Sequence, residues 1–315
     1  MITLKEAKEL TNDKLTQEVI DEFREDPILN MLEFDDTVTP NGETMTYSYN
    51  RIETQPTAGT RPINGEYTAQ ETKTKRQSTD LKIMGGSYKI DRALAKGEKQ
   101  VVDQVDFQSK QKAKATRAEF ANLFVNGDTA TNEDEFDGLK VIVANKTSDF
   151  VPTEAIDLSD SDKIDANYKK FLHLLRKMNG KLSRTPDAYL MNKDMYAVFQ
   201  SIADRVANIK YEKDELGNEV LKYGKTVLAQ VGDKPGTSES IIATNEETGE
   251  TEMFAVCLGR EDVHGISLSG NALIEQHLPD FSTAGAVKEG DVEMIAAIVA
   301  KTTKSVGRIS KIKIQ

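Results

Sequence analysis

Residues 98–125 form a run of the sequence without Pro or Gly, and this run most constrains what the chain can fold into. Its residues are mostly strong helix formers, and the Asn126–Gly127 pair that follows is a good helix stop. At 1.5 Å per residue the helix would be roughly 40 Å long, well beyond the usual three turns. Its middle is polar on nearly every side, which argues against a coiled coil. The run therefore predicts a strut lying across another surface, or alternatively a surface helix of an ordinary enzyme.

Length and charge limit the classes of function. The chain has 315 residues, enough for one large domain or two. It carries 41 Lys and Arg against 52 Asp and Glu, a net charge of -11, which argues against a generic nucleic-acid binder. Its single cysteine, Cys257, excludes an intramolecular disulfide framework. The sequence shows no apolar run of about 18 residues and no signal-peptide pattern, so we expect a soluble protein made in a reducing cytoplasm.

The first 36 residues read as an acidic arm, with 4 Lys and Arg against 11 Asp and Glu. A short helix is predicted there, with Leu15, Val19, Ile20 and Phe23 on one face. Because so short an amphipathic helix is marginal alone, it needs a surface to lie on.

Residues 44–83 predict a long, projecting β-hairpin. Met45, Tyr47 and Tyr49 alternate along a first strand over 44–53, and a turn-rich tip follows over 55–65. The chain returns as a second strand over roughly 66–83. A two-stranded ribbon with so few apolar residues is at best marginal alone, so it would gain support by resting on a partner.

The arm and the segment that follows the hairpin tip have opposite charge. Residues 73–117 hold 12 Lys and Arg against 5 Asp and Glu. The two regions are electrostatically complementary, although two solvated faces of opposite bias would give the same pattern.

The rest of the sequence predicts an alternation of helices and strands, and hence an α+β protein overall. Helices are predicted over 161–179, capped by Asp160 or Ser161, and over 193–207. An exposed hairpin is predicted over 211–224. The other predicted strands cover residues 141–143, 188–191, 226–231, 240–244, 253–258, 263–268 and 306–314.

The sequence contains no motif that predicts a catalytic, cofactor or metal site. Cys257, Asp262 and His264 could be imagined as a thiol site, but the apolar residues before Cys257 favour a small core residue, so Cys257→Ser should be nearly silent. The segment Gly224–Thr226 echoes a phosphate-binding loop and lacks the glycine five positions earlier. The acidic stretches 128–137 and 157–162 lack the glycine of a calcium loop.

Three segments carry a resemblance to a known family. Residues 123–128 (LFVNGD) with 136–139 (FDGL) look like the exit from a spine helix, residues 82–94 (KIMGGSYKIDRAL) like the base of an extended loop, and residues 254–266 like late strands of an axial domain. With the order of elements, they resemble the major capsid protein of tailed bacteriophages, the Hong Kong 97-like fold shared with encapsulins.

The resemblance implies a division of the chain into four parts. Residues 1–40 would be the N-terminal arm and 41–90 the extended loop. Residues 91–135 and 286–315 would form the peripheral domain with the spine helix, and 136–285 the axial domain. Because no room remains for a fused scaffolding segment, a separate scaffolding protein is expected.

The resemblance also implies a function. The chain would be a structural protein, not an enzyme, that self-assembles into hexamers and pentamers of an icosahedral head. The head would form in the host cytoplasm as a procapsid that matures, would contain a portal protein, and would enclose double-stranded DNA without sequence-specific binding. Side chains expected to make assembly contacts are Phe23, Tyr47, Tyr49, Arg61, Lys73, Lys75 and Arg76. The alternatives are an encapsulin-type compartment, a tail or head-completion protein, and an α/β enzyme.

Overall fold

The computed structural model of the protein describes residues 28–38, 45–54, 56–95, 100–213, 219–270 and 272–315. Its helices are α1 (Ile28–Met31), α2 (Arg92–Ala95), α3 (Gln100–Asn126), α4 (Leu139–Val143), α5 (Ser161–Asn179) and α6 (Lys193–Ala203). Its strands, in chain order, are β1 (Phe34–Val38), β2 (Thr46–Thr54), β3 (Lys73–Asp80), β4 (Lys82–Asp91), β5 (Asp149–Phe150), β6 (Ile156–Asp157), β7 (Ala188–Met191), β8 (Ile209–Lys213), β9 (Glu219–Tyr223), β10 (Thr226–Gln230), β11 (Glu250–Val256), β12 (Val263–Leu268), β13 (Glu275–His277), β14 (Val287–Ala300) and β15 (Val306–Lys313). The predicted α+β class is confirmed.

The smaller of the two large assemblies of strands is built on β14. Its order is β1-β12-β14-β13, and β4 also pairs with β14 along ten positions, from Lys82↔Ala296 to Asp91↔Val287. We call it the small sheet. The predicted long helix is confirmed as α3, which packs against β4 and β14. The helix therefore lies across a sheet, as a strut would.

The second assembly, called here the large sheet, has the order β5-β15-β11-β7-β10-β9-β8, with β6 also paired to β15. Strand β7 and the second half of β11, Met253–Val256, are apolar at successive positions because both faces of the sheet are covered there. Tyr189 and Ala255 face α5 and α6, whereas Leu190 and Phe254 face the C-terminal end of α3. That end of α3 belongs to one core cluster with residues of both sheets, which joins the two sheets through a shared core.

Local capping explains where the two helices of the large sheet begin. Asp160 Oδ1 accepts a hydrogen bond from Lys163 N at 2.8 Å, so Asp160 is the N-cap of α5. Asn192 Oδ1 accepts from Met195 N at 2.9 Å and caps α6. The predicted hairpin over 211–224 corresponds to the antiparallel pair β8 and β9.

The predicted strand over 141–143 is wrong, because these residues belong to helix α4. Gly138 is the N-cap of α4, and Ile142 N donates to Gly138 O at 3.0 Å. Leu139 and Val143, four residues apart, are both buried against the shared core. Burial of one helical face outweighs the strand preference of a β-branched run.

The predicted strand over 240–244 is also wrong. Ser240 makes only an isolated bridge to Asp233, although Ile241 and Ile242 are buried. Side-chain amides replace a neighbouring strand here: Asn126 Nδ2 donates to Ile241 O at 3.0 Å, and Asn192 Nδ2 donates to Ile242 O at 3.2 Å. The two buried carbonyls are thereby satisfied without a ladder.

The predicted segments and the observed sheets group the strands in different ways. The predicted second strand of the hairpin begins only at Lys73, and after a break at Leu81 the chain enters the small sheet as β4. The predicted peripheral range 286–315 contains strands of both sheets, since β14 lies in the small sheet and β15 in the large one. Residues 28–38 of the predicted arm pack in the core and pair with β12, whereas residues 1–27 lie outside the described residues.

Candidate functional site

The hairpin formed by β2 and β3, called here the ribbon, pairs with neither sheet and carries an exposed tip at residues 56–72. Large apolar side chains lie open at this tip: Ile63 is 91% exposed and Tyr67 66% exposed. Apolar side chains presented together on a projecting element are typical of a surface that another molecule covers.

The tip holds its own shape through local bonds. Thr57 N and Thr57 Oγ1 both donate to Gln70 Oε1, at 2.8 and 2.7 Å. The Arg61 guanidinium donates to Gly65 O at 3.1 Å and lies 5.4 Å from the centre of the Tyr67 ring. Because the tip is internally bonded, it can present Ile63 and Tyr67 with a reduced entropic cost of ordering.

Basic side chains follow β3, the second strand of the ribbon. Lys73 and Lys75 are exposed on β3, and Arg76 donates to Ser48 Oγ at 3.0 Å across the ribbon. The ladder runs from Thr46↔Asp80 to Thr54↔Lys73, so these positive charges lie between the tip and the body of the subunit.

Tyr47 anchors the root of the ribbon to the small sheet. Its hydroxyl donates to Asp35 Oδ2 at 3.3 Å, and its ring meets the buried His264 ring edge-on at 5.9 Å between centroids. The Lys301 ammonium lies 5.9 Å from the Tyr47 ring centre. These contacts join β2 to β1, to β12 and to the segment that follows β14.

Tyr49 and Arg51 continue the same face of β2 outward. Tyr49 Oη donates to Ala300 O at 3.0 Å. Arg51 Nε donates to Lys301 O at 2.8 Å and Arg51 Nη2 to Ala300 O at 2.7 Å. Burial raises the pKa of the Tyr49 hydroxyl, and the positive charge of Arg51 partly opposes that shift.

The predicted contact residues separate into two groups. Tyr47 and Tyr49 lie together at the root, with ring centroids 6.3 Å apart, and their hydroxyls bond within the subunit. Lys73, Lys75 and Arg76 lie on β3 and Arg61 lies on the tip, whereas Phe23 lies outside the described residues. Sequence reasoning missed Arg51. The signal for it was its position two and four residues after the tyrosines, on one face of the strand.

A groove beside α3 is one of the concave surfaces at which an enzyme hypothesis would place a site. It has a volume of about 420 Å³ and is lined in part by Lys112, Thr116, Glu119 and Glu135. Burial raises the pKa of the Glu119 carboxyl, and the charge of Glu135 raises it further. A single raised carboxyl is a weak indication of catalysis, because structural charge pairs shift pKa values in the same way.

The imagined thiol site does not assemble. Cys257 is fully buried in the core on the helix-covered face of the large sheet, and burial, with the charge of Asp262, raises its pKa to about 11. Asp262 instead accepts from Arg184 Nε at 2.9 Å and from Ser183 Oγ at 3.2 Å. A buried thiol with a raised pKa is an inert core residue.

The described ranges hold neither a metal-binding cluster nor a membrane-spanning helix. No three or more His, Cys, Asp or Glu side chains in these ranges are grouped as a metal ion would need. No helix in the part of the chain that the structure describes is long and apolar enough to cross a membrane.

The chain resembles known proteins in structure and not in sequence. No protein-family model and no curated protein sequence matches the chain. Solved structures do match over nearly the whole length. The SrpI encapsulin complex from Synechococcus elongatus PCC 7942 has a TM-score of 0.63 at 11% identity, covering 99% of this chain and 96% of that one.

Capsids show the same degree of similarity. The capsid of an empty GTA particle has a TM-score of 0.63 at 11% identity, with 98% of both chains covered. The capsid of Myoviridae phage XM1 has a TM-score of 0.60 at 10% identity, again with 98% of both chains covered. At such identities the likeness concerns the fold, and it extends across both sheets, α3 and the ribbon. The chain therefore has the Hong Kong 97-like fold of phage major capsid proteins and encapsulins.

Proposed function

We propose that the protein is the major capsid subunit of a tailed bacteriophage, a structural protein with no catalytic role. It self-assembles into hexamers and pentamers of an icosahedral head that encloses double-stranded DNA without reading its sequence. The observation that carries the proposal is the ribbon, which lies outside both sheets and presents Ile63 and Tyr67 on a fold shared with the capsids of a GTA particle and of phage XM1.

The physics of the subunit supports assembly through its projecting parts. Head-to-tail contacts between identical subunits form rings when they close, and a second set of contacts joins rings into a shell. The ribbon supplies one such contact, through its tip and through Arg61, Lys73, Lys75 and Arg76. The N-terminal arm, residues 1–40, supplies another through the part that precedes Ile28, which includes Phe23. Tyr47 and Tyr49 hold the ribbon in place for its contact.

The remaining parts of the proposal rest on the resemblance to the Hong Kong 97-like fold. Residues 41–90 act as the extended loop, residues 91–135 and 286–315 as the peripheral domain, and residues 136–285 as the axial domain around the symmetry axes. A separate scaffolding protein and a portal protein are the expected partners, and the shell forms in the host cytoplasm before it matures into the virion. The net charge of -11 supports weak affinity for the packaged DNA, because tight binding to phosphates needs positive charge.

The proposal is tested at the tip of the ribbon. Replacing residues 59–65 with a two-residue turn, or changing Ile63→Asp, should leave the melting temperature of the subunit unchanged, because the tip contributes nothing to the described core. Both changes should abolish assembly, measured by sedimentation velocity and electron microscopy. Val151→Asp is the matched control, since Val151 is also exposed, at 54%, and lies far along the chain. Normal shells from both tip variants would overturn the proposed contact.

An encapsulin-type compartment is the second candidate, favoured by the similarity to the SrpI encapsulin complex. Both candidates predict shells, and they differ in content. Purified phage heads would hold double-stranded DNA, whereas a compartment would hold cargo protein. The ratio of absorbance at 260 and 280 nm of intact shells, followed by nuclease treatment and gel analysis, separates the two.

A further inference from the structure

One face of β2 carries a ladder of three side chains that tie the ribbon to the subunit. Tyr47, Tyr49 and Arg51 alternate along the strand, so all three point to the same side. Tyr47 contacts the small sheet at the root, and Tyr49 and Arg51 contact the segment where β14 ends. Among the described residues the ribbon makes no strand pairing with either sheet, and these side chains supply hydrogen bonds that attach it to the subunit.

Arg51 makes the densest set of contacts in this ladder. Its guanidinium donates to Lys301 O at 2.8 Å, to Ala300 O at 2.7 Å and to Tyr49 Oη at 3.0 Å. It also lies 5.6 Å from the centre of the Tyr49 ring. A planar guanidinium that bonds three fixed oxygens accepts only a narrow range of orientations.

Arg51 is also the outermost member of the ladder. It lies five residues beyond Thr46, where the ribbon begins, and thus about 17 Å along the strand. A contact this far from the root resists tilting of the ribbon more strongly than a contact at the root, because the same tilt displaces it further.

The two carbonyls that Arg51 binds lie where the chain leaves the small sheet for the large one. Ala300 ends β14 of the small sheet, and residues 301–305 cross to β15 of the large sheet. This crossover is fixed on the other side, since Lys301 N donates to Asp262 O at 3.1 Å and Ser183 N to Lys304 O at 2.9 Å. The guanidinium therefore links the ribbon to the segment that joins the two sheets.

We propose that Arg51 is a positioning residue that sets the angle at which the ribbon leaves the subunit, and that this angle sets the curvature of the assembled shell. The second half rests on the proposed function. The first half concerns the free subunit alone. Since each ribbon must reach the next subunit, a fixed angle gives one closed size, and a free angle gives a mixture of sizes and unclosed sheets.

The first test measures the ribbon in the unassembled subunit. Nitroxide labels on Thr60→Cys at the exposed tip and Lys170→Cys on the exposed side of α5 report the distance between ribbon and body by pulsed electron paramagnetic resonance. The native Cys257 is buried and should stay unlabelled. Treating the wild-type protein with the nitroxide reagent checks this, because it should take up no label. The parent should give one narrow distance peak. Arg51→Ala should give a broad distribution of distances instead of the narrow peak. Arg51→Lys, whose ammonium can still reach one carbonyl, should give a distribution of intermediate width.

Arg76→Ala is the matched control, because the hydrogen bond of Arg76 among the described residues lies within the ribbon, to Ser48. It should keep the narrow peak and also the melting temperature of the parent. An Arg51→Ala subunit that retains the parent's narrow peak would overturn the proposal, whatever its assembly.

The second test measures the shells. Wild-type shells should have a uniform diameter by electron microscopy, and Arg51→Ala should give a spread of diameters and open sheets at an unchanged subunit melting temperature. Uniform shells of wild-type diameter from Arg51→Ala would refute the link to curvature. If the wild type itself forms no shells, the proposed function fails, while the distance measurement still decides whether Arg51 holds the ribbon.

Discussion

His264 shows at the scale of one residue how the small sheet depends on protonation. The ring is fully buried on β12 against Tyr47. Burial lowers its pKa below the usual value of 6.5, and the positive charge of Lys301 lowers it further, while Asp35 and Glu33 oppose the shift. The folded protein therefore takes up this proton less readily than the unfolded chain.

The sign of the pH dependence follows. The contribution of His264 to the free energy of unfolding is fully present above the unfolded pKa, near pH 6.5, and is lost as the pH falls through the lower folded pKa. Between these values the free energy of unfolding falls by up to about 1.4 kcal/mol per pH unit for one proton. His264→Phe keeps an aromatic ring against Tyr47 and removes the proton. Urea unfolding of the free subunit between pH 7.5 and 5.5 should show a shallower fall for this variant than for the wild type. Equal slopes would show that the pKa of His264 is the same in the folded and unfolded states.

Single residues were predictable from sequence where their role is local. Asp160 as a helix cap and Cys257 as a core residue follow from their immediate neighbours, and the structure confirms both. Arg51 was not predictable in its role, because its partners are backbone carbonyls about 250 positions away in the chain. A side chain's partner across the fold leaves no trace in a local pattern.

The exit of α3 is the element whose sequence signal was clearest. Gly127 and Gly138 bracket the turn that follows the helix, and Gly138 N donates to Gly127 O at 2.8 Å. A Cβ atom at Gly138 would lie 2.5 Å from Leu123 O and 2.8 Å from Gly127 N. The backbones cross so closely that only glycine fits, which explains the spacing of the two glycines in the sequence.

Gly138→Ala should therefore lower the free energy of unfolding by roughly 2–4 kcal/mol, because backbone atoms have to move to admit the methyl group. Gly180→Ala is the matched control. Gly180 follows α5 in a right-handed helical conformation. A Cβ atom added there would lie 3.5 Å from the nearest heavy atom. The control should be neutral or stabilise by about 0.4–1 kcal/mol. Equal effects of the two changes on urea unfolding would contradict this account of the turn.

The start of the described chain gives a second prediction for an element. Ile28 and Leu32 are buried, and the Phe34 ring packs 5.8 Å from that of Phe120. Losing several such side chains, at about 2–5 kcal/mol each, exceeds the margin of about 5–15 kcal/mol that keeps a domain folded. Removal of residues 1–36 should therefore unfold the subunit.

Removal of residues 1–27 keeps every described core residue and should leave a folded subunit that fails to assemble. Circular dichroism melting separates the two deletions. A 1–36 deletion that melts cooperatively at the temperature of the full chain would show that α1 and β1 are dispensable for the fold.

Elements set by tertiary contacts were the ones that sequence patterns misassigned. Residues 141–143 are β-branched and look like a strand, but the backbone of Gly138 starts a helix there and burial keeps it. Residues 241 and 242 look like a buried strand, and their carbonyls bond instead to Asn126 and Asn192. In both places the deciding partner lies outside the local window.

For the whole molecule, the order of elements carried more information than any motif. An arm, a ribbon poor in apolar residues, a long polar helix and an α/β region together pointed to the Hong Kong 97-like fold, while sequence identity to matching structures is only about a tenth. Which strands share a sheet was not predictable, because the chain crosses between the two sheets at residues 257–262 and 301–305. These short crossings have no distinctive composition.

The proposed function requires this subunit to build a closed shell. Cryo-electron microscopy of the purified protein, alone and co-expressed with a candidate scaffolding protein encoded beside it, shows whether it does. We expect closed shells of pentamers and hexamers, tens of nanometres across, in at least one of the two samples, with the ribbon of each subunit resting on its neighbour. A uniform monomer or dimer in both samples would contradict the proposed function. The groove beside α3 would then be the first place to test for ligand binding.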